Sequence, residues 1–363
     1  MAAMQVFRAI AEAHSLRGCA VAVGNFDGVH LGHRRLFALA LELAAARDAP
    51  AAALTFDPHP ARILKPALAP PLLTPLSRKL ELMADEGLDA AVVQSFDMAY
   101  AQSSAAEFVE RDLLGHLGAA EVVVGYDFTA GHERARVEAL RALLAAPGMA
   151  LHVVDPVTSD GLTVSSTKIR EFLLEGNVEA AAQLLARPHD VEGVTERGAG
   201  RGRGLGFPTA NLRTEGMLPA SGVYVVRALV TERGGGSLPL APLRTPPRSG
   251  GRSPPALAPS TGAGESSRRA TVLGSGGSEA VRRLHDGVCN VGVKPTVQEG
   301  GPLGAEVHLL DFDGRDLHGA RLRLSFLRRL RDERRFASLE ALRAQIAEDV
   351  RRARELLRQQ TPV

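Results

Sequence analysis

At 363 residues, 45% hydrophobic and 23% charged, the chain is long enough for two ordinary cores, since domains usually run about 100 to 200 residues. The formal net charge is only +2, and 39 of the 43 basic residues are arginine, which excludes a polybasic tail built for nucleic acid and limits anionic partners to small ones. Cys19 and Cys289 stand far apart with no Cys or His at metal-ligand spacing beside them, so neither a disulfide framework nor a zinc site is expected and a reducing cytoplasm fits. Arg8, Glu12 and Arg17 interrupt the apolar N-terminal stretch, and no apolar run approaches the ~18 residues that would span a bilayer. The expectation is a soluble cytoplasmic protein with no membrane partner.

Taken in chain order, Cys19–Gly24 is a valine-rich run ending in glycine, and Leu31–Arg47 carries Leu36, Leu39, Ala40 and Leu43 at helical spacing. The reading strand, loop, helix then repeats. Strands are expected at Ala51–Phe56, Ala90–Phe96 and Glu121–Val124, with helices near Ser77–Glu86 and Ser104–Leu117. Such alternation predicts a Rossmann-like parallel sheet covered by helices. Helices at Ser166–Leu174 and Val178–Leu185 close this part, placing a first domain at residues 1–185. The second, 186–363, turns to glycine-rich loops and short strands at Gly222–Val230, Glu306–Asp311 and Arg321–Phe326. A small antiparallel barrel or sandwich is expected there, closed by a helix over Ser338–Leu357. Within it, 25 of the 55 residues from Thr231 to His285 are Gly, Pro or Ser and none is aromatic, which predicts a disordered insert between two strands.

The loop Gly24-Asn25-Phe26-Asp27-Gly28-Val29-His30-Leu31-Gly32-His33 opens directly into a helix. Glycines let backbone approach a ligand, a helix N-terminus offers free N–H groups, and two histidines three residues apart share one helical face. Such a site suits a triphosphate, although neither a G-x-G-x-x-G fingerprint nor a P-loop is present. Three later segments fall where a parallel sheet places ligand-facing loops: Thr55-Phe56-Asp57-Pro58-His59-Pro60, Val124-Gly125-Tyr126-Asp127-Phe128, and Ser165-Ser166-Thr167-Lys168-Ile169-Arg170. Together these motifs resemble the adenylyltransferase module of prokaryotic bifunctional riboflavin kinase/FAD synthetases.

That resemblance implies an α/β nucleotidyltransferase domain in which the phosphate of FMN attacks the α-phosphorus of ATP, giving FAD and pyrophosphate. It implies ATP-binding roles for Gly24, Phe26, Asp27, Gly28, Ser165, Ser166, Thr167 and Arg170, catalytic donors at His30 and His33, and Asp127 on the flavin or the metal. The family pattern continues after Phe128 with an aromatic residue, a glycine and a second glycine, whereas this chain reads Thr129-Ala130-Gly131-His132-Glu133-Arg134-Ala135-Arg136.

In the second half, Gly198–Gly206 leads into Phe207-Pro208-Thr209-Ala210-Asn211. Without interleaved aromatics the Gly/Arg stretch is a poor RNA-binding segment. Gly-Phe-Pro-Thr-Ala-Asn resembles the riboflavin kinase signature, a family built on a six-stranded β-barrel, and Val288–Thr296 and Glu306–Phe312 continue it. The resemblance implies that Gly202, Gly204 and Gly206 wrap the phosphates of ATP, that Thr209 and Asn211 hold Mg²⁺, and that Glu306 is the base that deprotonates riboflavin. Asn290, Arg331 and Glu333 are its flavin-binding candidates, while Lys294 and His318 stand where arginine and tyrosine are usual. Riboflavin, FMN and ATP are thus the expected small-molecule substrates. An aminoacyl-tRNA synthetase shares the H-x-G-H logic but needs a further helical domain, and a phosphopantetheine or cytidylyl transferase leaves the Gly206–Asn211 signature unexplained. A flavin-binding module retaining one or neither activity is the alternative that the segment after Phe128 keeps open.

Overall fold

A computed structural model describes residues 3–145, 148–196, 206–231, 282–293, 303–313 and 316–359. The chain forms two compact units, the first over residues 3–71 and 75–165, the second over 72–74 and the described residues from 166 onward.

In the first unit the order is β1 (Gln5–Phe7), β2 (Ala20–Val23), α1 (Leu31–Ala46), β3 (Ala51–Asp57), α2 (Pro60–Leu64), α3 (Leu76–Asp85) and β4 (Ala90–Ser95). There follow α4 (Met98–Ala101), α5 (Ala105–Glu107) running into a π-helical stretch Phe108–His116, β5 (Glu121–Gly125), α6 (Val137–Ala145), β6 (Ala150–Val154) and the two-residue strands β7 (Thr158–Ser159) and β8 (Leu162–Thr163). Six strands pair parallel in the order β1-β4-β3-β2-β5-β6. Alternate side chains of each strand enter opposite cores. Val21, Val23, Ala52, Leu54, Val122 and Val124 pack with Phe108, Leu113, Leu140 and Leu144 on one face. Ala20, Ala22, Ala51, Ala53, Ala91 and Val93 pack with Phe37, Ala40, Leu80 and Met83 on the other. A parallel sheet covered on both sides explains continuous apolar strands, and burial overrides the poor strand propensity of Ala51-Ala52-Ala53.

The second unit begins with α7 (Ser166–Leu174) and α8 (Val178–Leu185), followed by β9 (His189–Glu196), β10 (Ala210–Thr214), β11 (Gly222–Thr231), β12 (Arg282–Val293), β13 (Leu303–Leu309), β14 (Arg321–Arg331) and α9 (Leu339–Gln359). Its six strands close an antiparallel barrel in the order β10-β13-β12-β11-β14-β9. Closure removes the unpaired edges of an open sheet. The interior is filled by Val191, Leu212, Tyr224, Val226, Cys289, Val291, Ala305, Val307, Leu322, Leu324 and Phe326, all buried. Outside, α9 lays Ala353 and Val350 on Val223, Val225, Val288 and Leu330. The α7–α8 hairpin is held to β14 by Arg329, which donates to the Glu175 and Ser221 carbonyls.

The parallel sheet, the barrel and the closing helix are as the sequence predicts. Not predicted are β1, α2, α4, α6, β6, β7, β8, β9 and β10. The expected insert falls between β11 and β12; since β12 starts at Arg282, the connection is 232–281, outside the described residues. Among the described residues no helix is long and apolar enough to cross a membrane. Both cysteines are free and buried, and desolvation pushes the Cys19 thiol up to about 12.

Candidate active sites on two units

The strand order of the first unit reverses between β2 and β5, and a crevice forms outside the carboxyl ends of strands at such a switch point. Two of the sequence-derived loops begin there, Gly24–His33 after β2 and Tyr126–Phe128 after β5, with Pro58–His59 following the adjacent β3. Gly28 has φ of +93°, and Phe26 and Val29 take left-handed conformations at +49° and +43°, the cost of folding the loop back under α1. Phe26 is 1% exposed and packs edge-on against His33 and at a tilt against Phe37, so it is a core anchor of the loop.

His30 is the N-cap of α1: its Nδ1 accepts the His33 backbone N–H at 3.4 Å, and the two imidazoles stack with centroids 3.6 Å apart. An accepting Nδ1 places the imidazole proton on Nε2, which leaves that atom as a donor at the positive end of a helix. Asp27 is 2% exposed, whereas Asp127 is exposed on the turn after β5.

The segment after Phe128 is a tight hairpin bridged between Ala130 and Ala135. Gly131 has φ of +70°, and a Cβ there would lie 2.3 Å from the Ala105 nitrogen. The Glu133 carboxylate accepts that Ala105 N–H at 2.8 Å, which holds its pKa below the usual range, and the His132 N–H donates to Ser103. The residues that depart from the family pattern therefore dock the loop on the start of α5. Ser165 is half-buried at the end of the first unit; Ser166, Thr167 and Arg170 occupy the first turns of α7, grouped with the second unit.

On the barrel, the register sets Asn211 of β10 opposite Glu306 of β13 and Glu306 opposite Asn290 of β12. Directly opposed residues share a face. Since Leu212, Ala305, Val307, Cys289 and Val291 point inward, the row Asn211–Glu306–Asn290 lies on the outer face, with Glu306 exposed. The charge at Glu306 thus needs no buried partner: β13 begins at Leu303 and alternates in and out, rather than being the wholly apolar strand that the sequence suggested. Glu196 of β9 extends the row beyond Asn211. Thr209 is exposed just before β10, and its approach is tied to β13, where His308 meets the Pro208 carbonyl through Nδ1 at 2.9 Å and packs edge-on with Phe207. Gly206 has φ of +87°; Gly202, Gly204 and Lys294 lie outside the described residues.

Glu333 accepts from Ser221 Oγ at 2.7 Å and from Asn290 Nδ2 at 3.4 Å, which joins it to the same row. Arg331 is committed elsewhere, with Nε 3.0 and 3.1 Å and Nη2 2.7 Å from the Asp349 carboxylate on α9. Two residues with clear positions here escaped the sequence reading. His308 falls within the Glu306–Phe312 segment without a role assigned to it, and Lys79, buried on α3 behind the Gly24–His33 loop, reads in sequence as one cation on an amphipathic helix.

Comparison with known proteins matches these two units in order. A family model described as FAD synthetase matches residues 12–168, and one described as riboflavin kinase matches 185–357. The chain is 34% identical over 97% of its length to a bifunctional riboflavin kinase/FMN adenylyltransferase of Pseudomonas fluorescens, covering 98% of that protein. Proteins of the same name from Escherichia coli K12 and Bacillus subtilis 168 are 33% and 30% identical, with 93% and 92% of this chain and 92% and 90% of theirs covered. A crystal structure described as a macrolide-efflux protein from Streptococcus pneumoniae superposes with a TM-score of 0.73 at 24% identity, covering 99% of this chain and 100% of that one; at that identity the likeness speaks for the fold alone. With relatives of this similarity spanning nearly its whole length, and both domain models in the same order, the chain belongs to the bifunctional riboflavin kinase/FMN adenylyltransferase family.

Proposed function

We propose that the barrel unit phosphorylates riboflavin to FMN with ATP and that the sheet unit adenylylates FMN to FAD with a second ATP, releasing pyrophosphate, in the cytoplasm. The functional division we assign is 1–185 and 186–363, with the family models changing over between residues 168 and 185. The observation that carries the reading is that each unit gathers its own constellation. His30 caps α1 at the switch point of one, and Asn211, Glu306 and Asn290 align across three strands of the other.

In the barrel, Glu306 is the base that takes the 5′-hydroxyl proton of riboflavin as the oxygen attacks the γ-phosphorus and ADP leaves. Its exposure suits that role, because a base must lie within reach of substrate. The neighbouring donors are amide and hydroxyl oxygens, Asn211 and Thr209, hard ligands of the kind that hold Mg²⁺ together with substrate phosphates, so the residues present fit that ion. When bound, Mg²⁺ would neutralise charge developing on the phosphates. Asn290 and Glu333 orient the flavin.

In the sheet unit, catalysis is positioning and charge stabilisation. The Nε2–H of His30 and the His33 imidazole donate to phosphate oxygens, and backbone N–H groups from Gly24 to Gly28 receive the triphosphate; Ser165, Ser166, Thr167 and Arg170 are the further phosphate-binding candidates that the motif supplies. Asp127 faces the flavin or the metal. The double variant His30→Ala/His33→Ala should lose FAD formation while still making FMN, and Glu306→Gln should lose FMN formation while still converting supplied FMN to FAD. Chromatography of flavins after incubation with ATP and Mg²⁺ reads both. Loss of both activities in either folded variant would sink the two-site scheme.

A further inference from the structure

Lys79 is a buried cation to which the scheme above gives no task. It sits on the first turn of α3 and is 5% exposed, although lysine is almost never buried unless paired. Its Nζ donates to the Asn25 carbonyl at 2.7 Å and to Thr55 Oγ1 at 3.4 Å. The Thr55 hydroxyl in turn donates to the same Asn25 carbonyl at 3.2 Å. One carbonyl oxygen, at the point where the chain leaves β2 for its ligand-facing loop, thus receives donors from the end of β3 and from α3.

That convergence falls where the backbone most needs holding. Phe26 and Val29 have φ of +49° and +43°, and non-glycine residues stay in that region only when their surroundings over-determine it. Phe26 is fixed from above by His33 and Phe37, and Asn25 is fixed from below by Lys79. Charge supports the arrangement. Burial pushes the ammonium below the ordinary lysine value, opposed by Asp27, itself 2% exposed inside the loop, and by Asp57 at the end of β3. A lysine serving only the core has no reason to end on a loop carbonyl with two carboxylates facing it; an apolar residue there would cost less.

We propose that Lys79 is a positioning residue of the adenylyl-transfer site, clamping the Asn25 carbonyl so that the Asn25–His30 loop stands in its nucleotide-accepting conformation before ATP arrives. The assignment rests on the adenylylation reading for its kinetic consequence, though not for the clamp itself. A loop that reaches its competent form only part of the time weakens nucleotide binding by that fraction, and bound nucleotide restores the geometry for chemistry. The signature is therefore a change in KM with kcat spared.

The test uses the full chain with Lys79→Met and, separately, Thr55→Val, which keeps shape while removing the hydroxyl that bonds both Lys79 and the Asn25 carbonyl. KM for ATP and kcat are measured for FAD formation, riboflavin phosphorylation serves as the internal control, and amide hydrogen exchange of residues 25–30 is followed without nucleotide. Loss of a charge-assisted hydrogen bond predicts KM for ATP about 10- to 100-fold higher in Lys79→Met, a smaller rise in Thr55→Val, kcat within about 3-fold, and exchange faster by a similar factor. Riboflavin phosphorylation should not change. Unaltered KM and unaltered exchange in folded Lys79→Met would overturn the proposal, as would a collapse of kcat at constant KM, which would put Nζ on the reacting atoms. Should Lys79→Met fail to fold, Thr55→Val decides by the same readings. Absence of FAD formation in the unmodified protein would instead defeat the adenylylation reading, and the exchange measurement would still decide the clamp.

Discussion

Removal of the Asp349 carboxylate tests how the last helix is fastened to the barrel. Arg331 ends β14, its side chain 17% exposed, and its guanidinium makes contacts of 2.7, 3.0 and 3.1 Å to Asp349, whose side chain is 3% exposed. Gln345 adds a donor to the same carboxylate at 2.8 Å. Asp349→Ala leaves the largely buried guanidinium with the Asp332 carbonyl and the Phe336 ring but no counter-charge, a change that costs about 3–5 kcal/mol in buried pairs. For a unit of this size roughly 2–4 °C is lost per kcal/mol, so the barrel transition should fall by about 6–20 °C in scanning calorimetry. The pair itself is not the source of stability, however: Arg331→Met with Asp349→Leu removes both charges and should recover most of the loss. A fall of less than about 2 °C in Asp349→Ala, or a double variant as unstable as the single one, would refute the reasoning.

EDTA should stop both FMN and FAD formation and Mg²⁺ should restore both, because the proposed ligands are hard oxygens; stoichiometric zinc found by elemental analysis and required for activity would contradict this. Replacing Gly234–Ser278 by a few Gly/Ser residues should leave both activities and the melting temperature nearly unchanged, since Thr231 and Arg282 are paired across β11 and β12 and loop closure changes by only about 0.6 kcal/mol per doubling of length. A folded deletion variant without kinase activity would show that this segment does more than connect two strands.

The elements legible in the sequence are those whose burial leaves a period. β2 ends in glycine before the 3.6-residue pattern of α1, and α9 keeps a narrow apolar stripe that meets the barrel through Val350, Ala353 and Leu357. β9 is hidden because buried polar residues stand on both of its faces. His189 lies inward with Val191 and meets the Met217 carbonyl, while Asp190 and Glu192 are buried on the outer face, Glu192 against Arg323, so hydrophobic alternation is missing where the strand is most enclosed. β6 is similar in kind. Its His152 contacts Glu121 on β5 at 2.7 Å, a contact between residues of two strands that no local pattern can announce.

Site residues divide along a related line. Motifs identify Asn211 and Glu306, but only the barrel register makes them neighbours, and the register is exacting because side chains alternate with a period of two. A slip of one residue in β10 would carry Asn211 into the core position held by Leu212, which is 1% exposed, and bring Leu212 out beside Glu306. The apolar interior of the barrel therefore enforces the alignment of the polar row outside it. The same reasoning explains why Lys79 went unread: its meaning lies in the Asn25 carbonyl and the Thr55 hydroxyl, 54 and 24 positions away along the chain, and β2 and β3 must be paired before the three meet.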